Sequence, residues 1–308
     1  MKKTYALEGG KVQESAAESC PILVFIAPDA GEKRYLTECL GIDEHTLGSA
    51  LDPNELPRLE CEPDHAAVIL NRPKKYRAED GLLFRVASTG LFLFADKLVV
   101  VLDEDIEIFD RPKFFSRIAS LREVFLRIIY RSTFHFLEHL SVINAISDEL
   151  EEKVNTSLQN DYLIQLFHLE KSLVYLVSAI RYNGALIERI RHNAPKIALS
   201  PDELGLLDDI MIENNECIKQ AEIYSNVIAS LMDARVSIVN NNLNQLIKRL
   251  NFAMIALMWP TLAFAIFSMN VRLPFDQHES HWPFWLISAL AFGPVAVSYL
   301  LYLRRGKP

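Results

Sequence analysis

Stepping along the chain from Asp233 in alternating strides of four and three residues meets Asp233, Ser237, Asn240, Asn244, Ile247, Asn251, Met254, Met258, Thr261, Ala265 and Ser268. Such strides keep to one side of an α-helix. That side carries one carboxylate, several amides and hydroxyls and soft apolar groups, with no lysine or arginine. A plain coiled coil would place Leu or Ile where Asn244 and Asn251 stand. Two chemistries fit. The asparagines fix helix register, or, repeated around a symmetry axis, they form amide rings that meet a hydrated ion. An uncharged lining suits a cation that sheds water reluctantly, as Mg²⁺ does. Rings of Ile247, Met254 and Met258 would then be apolar constrictions that close by dewetting.

Other reactive residues are weaker signals. His278 and His281, with Asp276 and Glu279, have the donor types for a transition metal; the same residues also read as a solvated loop that attracts cations. His135 and His139 stand at i and i+4 but lack the glutamate that a zinc protease places after its first histidine. Cys20, Cys39, Cys61 and Cys217 form no Cys-x-x-Cys pair, so they read as reduced thiols rather than a zinc site. No phosphate-binding glycine loop, nucleophile elbow or nucleotide motif is present. The chain is therefore not expected to be an enzyme, and no organic cofactor is expected.

The elements that must position the stripe follow from charge and hydropathy. The 308 residues hold 32 basic and 40 acidic side chains. That balance argues against a nucleic-acid partner. Mean hydropathy is nonetheless +0.10, because the composition is divided. Residues 1–247 carry net −12 and residues 248–308 net +4. Leu250–Val271 and Trp282–Leu303 are each 22 residues without a formal charge, and about 20 suffice to span a bilayer. Lys248 and Arg249 precede the first run, and Arg304, Arg305 and Lys307 follow the second. The basic flanks place both outer ends in the cytoplasm. Met1–Gln13 has lysines with no apolar core after them, so no signal peptide is expected.

The rest predicts an α+β membrane protein. Residues 1–20 read as a flexible N-terminus. Residues 21–110 read as a cytoplasmic α/β domain, with strands at Ile22–Ala27, Ala66–Leu70, Leu82–Val86, Leu91–Phe94 and Leu98–Leu102, and helices near Lys33–Cys39 and Asp43–Leu51. Residues 111–199 read as long helices, Phe114–Thr156 and Asp161–His192. Ser200 and Pro201 then open one helix running to about Met269, about 100 Å long at 1.5 Å per residue. Its part 200–249 is a stalk and 250–269 a pore-lining span. An external loop 270–283, a second span 284–303 and a basic cytoplasmic tail 304–308 complete the chain. A helix this long must pack in a bundle or oligomer.

The segment Pro260-Thr-Leu-Ala-Phe-Ala-Ile-Phe-Ser-Met-Asn-Val-Arg-Leu-Pro274 resembles the CorA family of magnesium and divalent-cation transporters, many of which read P-T-L-I-A-S-x-Y-G-M-N-V-x-L-P here. The likeness extends upstream through Leu231-Met-Asp233, Ser237, Asn244 and Lys248. This chain departs in having Phe267 and Ser268 before Met269 and Asn270, where the family has Tyr-Gly-Met-Asn. The resemblance implies an oligomeric funnel, a homopentamer in the cell inner (plasma) membrane with both termini cytoplasmic. It implies Mg²⁺ as substrate and regulator, with Zn²⁺, Co²⁺ or Ni²⁺ as alternatives, and Ser268, Met269 and Asn270 at a selective outer mouth. Asp276 and Glu279 would draw cations to that mouth. Asp209, 24 residues before Asp233, matches a family spacing for a regulatory stalk acid. Asp209 and Asp233 are thus candidate metal ligands, with Asp96, Asp103, Glu104 and Asp105 as partners. A non-conducting membrane-anchored sensor or scaffold of the same fold is the competing reading.

Overall fold

The computed structural model describes residues 1–15, 17, 20–76, 81–111, 114–156, 161–269 and 281–305. The chain divides into two compact units, Met1–Met232 and Asp233–Pro308. The first unit opens with strands β1 (Lys2–Glu8), β2 (Lys11–Glu14) and β3 (Ile22–Ile26). Helix α1 (Ala30–Arg34) runs directly into a π-helical turn, Tyr35–Cys39, and α2 (Glu44–Leu51) follows. Strands β4 (Arg58–Cys61), β5 (His65–Pro73), β6 (Val86–Phe94) and β7 (Leu98–Leu102) complete a seven-stranded sheet of order β2-β1-β3-β7-β6-β5-β4. Among the described residues, only β3 and β7 pair in parallel.

The unbroken apolar runs of β3 and β7 are what a strand buried on both faces requires. Ile22, Val24 and Ile26 face a core shared with helices α3 (Leu121–Thr156), α4 (Asp161–His192) and α6 (Pro201–Phe267). Leu23 and Phe25 face the other way, onto a smaller core with Leu47 and Ala50 of α2. The sheet is therefore the middle of three layers. A short helix, α5 (Ala194–Ile197), joins α4 to α6, with Pro195 in its first turn.

Three expectations need correction. The expected flexible start 1–20 holds ordered structure from Lys2 to Glu14: β1 and β2 form a hairpin closed by Gly9 and Gly10, at φ +57° and +73°. A two-residue turn with both φ positive matches the strand twist and needs glycine. Gly10 also lies under Arg117, whose Cα would stand 3.3 Å from an added Cβ. Second, Leu82–Val86 is not a strand; Leu82 adopts φ +65°, and β6 begins at Val86 and passes through Gly90. Gly90 pairs within the strand, and the position needs glycine because an added Cβ would sit 2.6 Å from Ala50 Cβ and 2.9 Å from the Phe92 ring. Third, α3 starts at Leu121 rather than Phe114. Arg117 stands at φ +59°, the Glu123 N–H donates to Ser120 Oγ at 3.0 Å, and Glu123 receives the Ala119 N–H at 2.8 Å.

Helix α6 is 67 residues long. Ser200 and Glu203 cap its start reciprocally, with the Ser200 N–H donating to Glu203 Oε2 at 2.7 Å and the Glu203 N–H to Ser200 Oγ at 3.3 Å. Helix α7 (Trp282–Arg305) has 24 residues. By length and composition α4, α6 and α7 are each able to cross a membrane. Helix α4, however, buries Leu166, Leu169, Leu173, Leu176 and Ile180 in the core of the first unit.

Candidate functional site

In the second unit, α6 packs against α7 along one face. Phe252 meets Tyr299 and Phe264 meets Phe292, each with ring centroids 6.2 Å apart. The Trp259 indole N–H donates to the Leu290 carbonyl at 3.1 Å. Pro260, Ala263 and Ala291 are buried; small residues let two spans approach closely.

The polar stripe lies elsewhere on α6. Asp233, Ser237, Asn240, Asn244, Ile247, Asn251, Met254, Met258, Thr261 and Ser268 are all exposed. At about 100° per residue, the stripe from Asn251 to Ser268 points roughly 170° away from the face that meets α7. The three hydroxyls of the stripe turn back on their own helix. Ser237 donates to the Asp233 carbonyl at 3.3 Å, Thr261 to Leu257 at 2.7 Å and Ser268 to Ala265 at 3.0 Å. Each hydroxyl oxygen thus keeps its lone pairs for a donor outside, such as water of an ion's hydration shell.

Ser268 remains in helical continuation, its N–H donating to Phe264 at 2.9 Å. Among the described residues, the non-glycine residues with positive φ are Ala27, Leu82, Arg117 and Ala198. Ser268 is not among them, so its backbone makes no demand for glycine. Met269 is exposed. Asn270, Asp276, His278 and Glu279 lie outside the described residues.

In the first unit, Asp209 is exposed on α6 between the core residues Leu207 and Ile210. The candidate partner acids are not free to join it. Arg72 Nη2 donates to Asp103 at 2.5 Å and Nη1 to Glu104 at 2.9 Å, Lys74 lies 3.4 Å from Asp103, and Lys3 donates to Asp105 at 2.7 Å. Burial alone would raise the Glu104 carboxyl, but the Arg72 guanidinium, the Lys75 N–H and the Lys74 ammonium hold it below the usual carboxylate range. Of the four, Asp96, exposed in the β6–β7 turn, alone stands outside these pairs among the described residues. No cluster of three or more His, Cys, Asp or Glu side chains able to hold a metal exists among the described residues of the single chain.

Arg72 went unrecognised in the sequence, and there was a signal. It is the one lysine or arginine in β5, which is buried from Ala66 to Pro73, and a buried charge requires partners. Its neighbours line a cavity of about 730 Å³ between the sheet and α3, with Phe84, Thr89, Arg131, His135 and His139. His139 Nδ1–H donates to the His135 carbonyl at 3.0 Å. Burial first, then His139, Arg131 and Arg72, push the His135 imidazole down to about 3, against the pull of Asp110.

The chain thus combines a layered α/β unit, a 67-residue helix with an exposed polar stripe free of lysine and arginine, and a second apolar helix, the last two long and apolar enough to cross a membrane. The model of the CorA-like Mg²⁺ transporter protein family matches residues 21–305, and the chain belongs to that family. It is a CorA-like divalent-cation transporter. A curated relative, the cobalt/magnesium transport protein CorA of Methanocaldococcus jannaschii, is 24% identical over 288 residues, covering 91% of this chain and 88% of the relative. The complete structure of the CorA magnesium transporter from that organism aligns at a TM-score of 0.82 with 21% identity, covering 99% of this chain and 97% of that one. The full-length CmaX protein aligns at a TM-score of 0.72 with 15% identity, over 99% of this chain and 97% of that one. These two likenesses carry the fold.

Proposed function

We propose that the chain forms a homo-oligomeric Mg²⁺ channel, pentameric as its family resemblance implies. The observation that carries this reading is the exposed stripe of α6, turned away from α7. With α7 outside, copies of α6 around an axis would line a pore with Asp233, Ser237, Asn240, Asn244, Asn251 and Thr261. Ile247, Met254 and Met258 would form the apolar constrictions. A heptad stripe drifts about 20° per heptad on a straight helix, and a left-handed supercoil of the bundle removes that drift.

In this reading residues 250–269 and 284–303 cross the cell inner (plasma) membrane. The first unit, the stalk 200–249 and both termini are cytoplasmic, as the basic flanks favour. Ser268, Met269 and Asn270 form the outer mouth, where the Asn270 amide binds the ion through its water shell. Asp276 and Glu279 raise the local cation concentration there. Asp209 and Asp233 hold regulatory divalent ions between copies.

Radiotracer uptake into proteoliposomes, comparing Mg²⁺ with Co²⁺, Zn²⁺ and Ni²⁺, tests the substrate. Preferential Mg²⁺ flux that falls in Asn244→Leu supports the reading. Preferential Co²⁺, Zn²⁺ or Ni²⁺ flux replaces the substrate and keeps the pore. Absence of flux for all four from a folded assembly favours the sensor or scaffold.

A further inference from the structure

Two prolines interrupt the hydrogen-bond ladders of the spanning helices, Pro260 in α6 and Pro294 in α7. A proline at position i cannot donate to the carbonyl at i−4. Pro294 therefore leaves the Leu290 carbonyl without its helical partner. In hydrocarbon no water replaces it, and a neighbouring helix must do so. The carbonyl that Pro294 releases is the one that Trp259 Nε1–H reaches, at 3.1 Å. Trp259 directly precedes Pro260 and lies on the α7-facing side of α6, between the Phe252–Tyr299 and Phe264–Phe292 contacts.

We infer that Trp259 and Pro294 are a coupled pair: the indole N–H of the first span caps the Leu290 carbonyl that Pro294 leaves open in the second, and so fixes the rotation of α6 against α7. The aromatic contacts on either side are compatible with small rotations of α6, because stacking geometry is broad. A hydrogen bond to a single carbonyl is directional. Trp259 thus sets which residues of α6 are turned away from α7, and these include Met254, Met258 and Thr261. It is a positioning residue that touches no ion. The pairing rests on the two helices alone; its consequence for flux rests on the proposed pore.

The test is a double-mutant cycle on the full chain in detergent–lipid micelles, read by amide hydrogen exchange over α7. Trp259→Phe removes the donor and should accelerate exchange around Leu290 by roughly 3- to 15-fold, the range of single interhelical hydrogen bonds in membranes. Pro294→Ala returns an N–H to the Leu290 carbonyl from its own helix. In that background Trp259→Phe should change exchange less than twofold. Phenylalanine also removes volume, so benzothienylalanine at position 259, the same shape without the donor, serves as the second variant. Equal acceleration by benzothienylalanine in both backgrounds, or none in either, overturns the pairing. In proteoliposomes the cation flux lost in Trp259→Phe should stay low in the double variant, because Pro294→Ala satisfies the Leu290 carbonyl from its own helix without restoring the bond between the two helices; full recovery of flux in the double variant would overturn the positioning role. If exchange shows the coupling while flux never depends on it, the pair holds the hairpin, and the assignment of the stripe to the pore is what fails.

Discussion

Asn183 of α4 closes the backbone of Asn71 in β5. Its Oδ1 accepts the Asn71 N–H at 3.0 Å, and its Nδ2 donates to the Asn71 carbonyl at 2.7 Å. The neighbouring strand explains the need. Strand β4 pairs with β5 only from Ala66 to Ile69, where Ile69 meets Arg58. Beyond Ile69 that edge of β5 is open, and Asn183 supplies the donor and acceptor of a missing strand. Ser132 of α3 donates to the same carbonyl at 3.0 Å. Two long helices are thereby registered against one sheet residue.

Asn183→Leu removes both halves of the clamp at a buried site. It leaves the Asn71 N–H without a partner, and such a loss costs about 1–3 kcal/mol. The full chain should melt at lower temperature, and the Asn71 amide should lose most of its exchange protection. Normal protection at Asn71 in a less stable variant would mean that Asn183 only fills space.

His135 gives the first unit an acid-sensitive term. Its folded value of about 3 lies below the ordinary 6.5 because burial, then His139, Arg131 and Arg72, oppose the cation. The unfolded chain therefore takes up the proton first as pH falls. The contribution is complete above about pH 6.5 and is lost progressively toward about 3, near 2 kcal/mol between pH 8 and 5. Denaturation midpoints of wild type and His135→Phe should differ in slope over that range, with the variant flatter. Parallel slopes would remove His135 from the acid response.

The sheet and the long helices of the first unit were legible where one force decides. The apolar runs of β3, β5 and β7 could only be buried strands. The helix Asp161–His192 and the long helix from Pro201 follow from periodicity and from the Ser200–Glu203 cap. The misreadings lie where glycine or a short polar turn carries the information. Gly9–Gly10 closes a hairpin, Gly90 makes room for Ala50, and Ser120 with Glu123 starts α3 at Leu121 instead of Phe114. For the stripe, spacing on α6 was readable. The partners of Asp103, Glu104 and Asp105 were not, since Arg72 and Lys3 are brought to them only by sheet pairing between distant segments.

At the proposed mouth, Ser268 stands where the family motif it resembles has glycine, yet its N–H continues the helical bonding pattern to Phe264 and its hydroxyl bonds the Ala265 carbonyl. Ser268→Gly relieves no strain. It should cost about 0.5–1 kcal/mol through added chain entropy and leave flux within a factor of about two. Asn270→Ala, in contrast, should abolish flux while the assembly persists, because the hydrated ion loses its amide partner. Proteoliposome uptake with size-exclusion profiles separates the cases. A strong rise in flux in Ser268→Gly, or retained flux in Asn270→Ala, would contradict these roles.

Regulation places the sharpest demand on the acids. If copies of α6 come together as proposed, their Asp209 carboxylates would approach one another, and like charges repel unless cations lie between them. Bound Mg²⁺ would then favour the closed assembly by mass action, by about 2.7 kcal/mol when the free ion exceeds its dissociation constant a hundredfold. Because coupling is reciprocal, removing the carboxylate weakens closure by the ion. Asp209→Asn should shrink the rise in melting temperature that millimolar Mg²⁺ produces and leave flux high at that concentration. Asp103→Asn is the contrasting variant. Asp103 is bound to Arg72 and Lys74 within its own chain, so its loss should lower the melting temperature with or without Mg²⁺ and leave the Mg²⁺-dependent rise unchanged. If instead Asp103→Asn removes the metal response and Asp209→Asn keeps it, the Arg72 cluster must open to receive the ion, and Asp209 is only a solvated acid on the stalk.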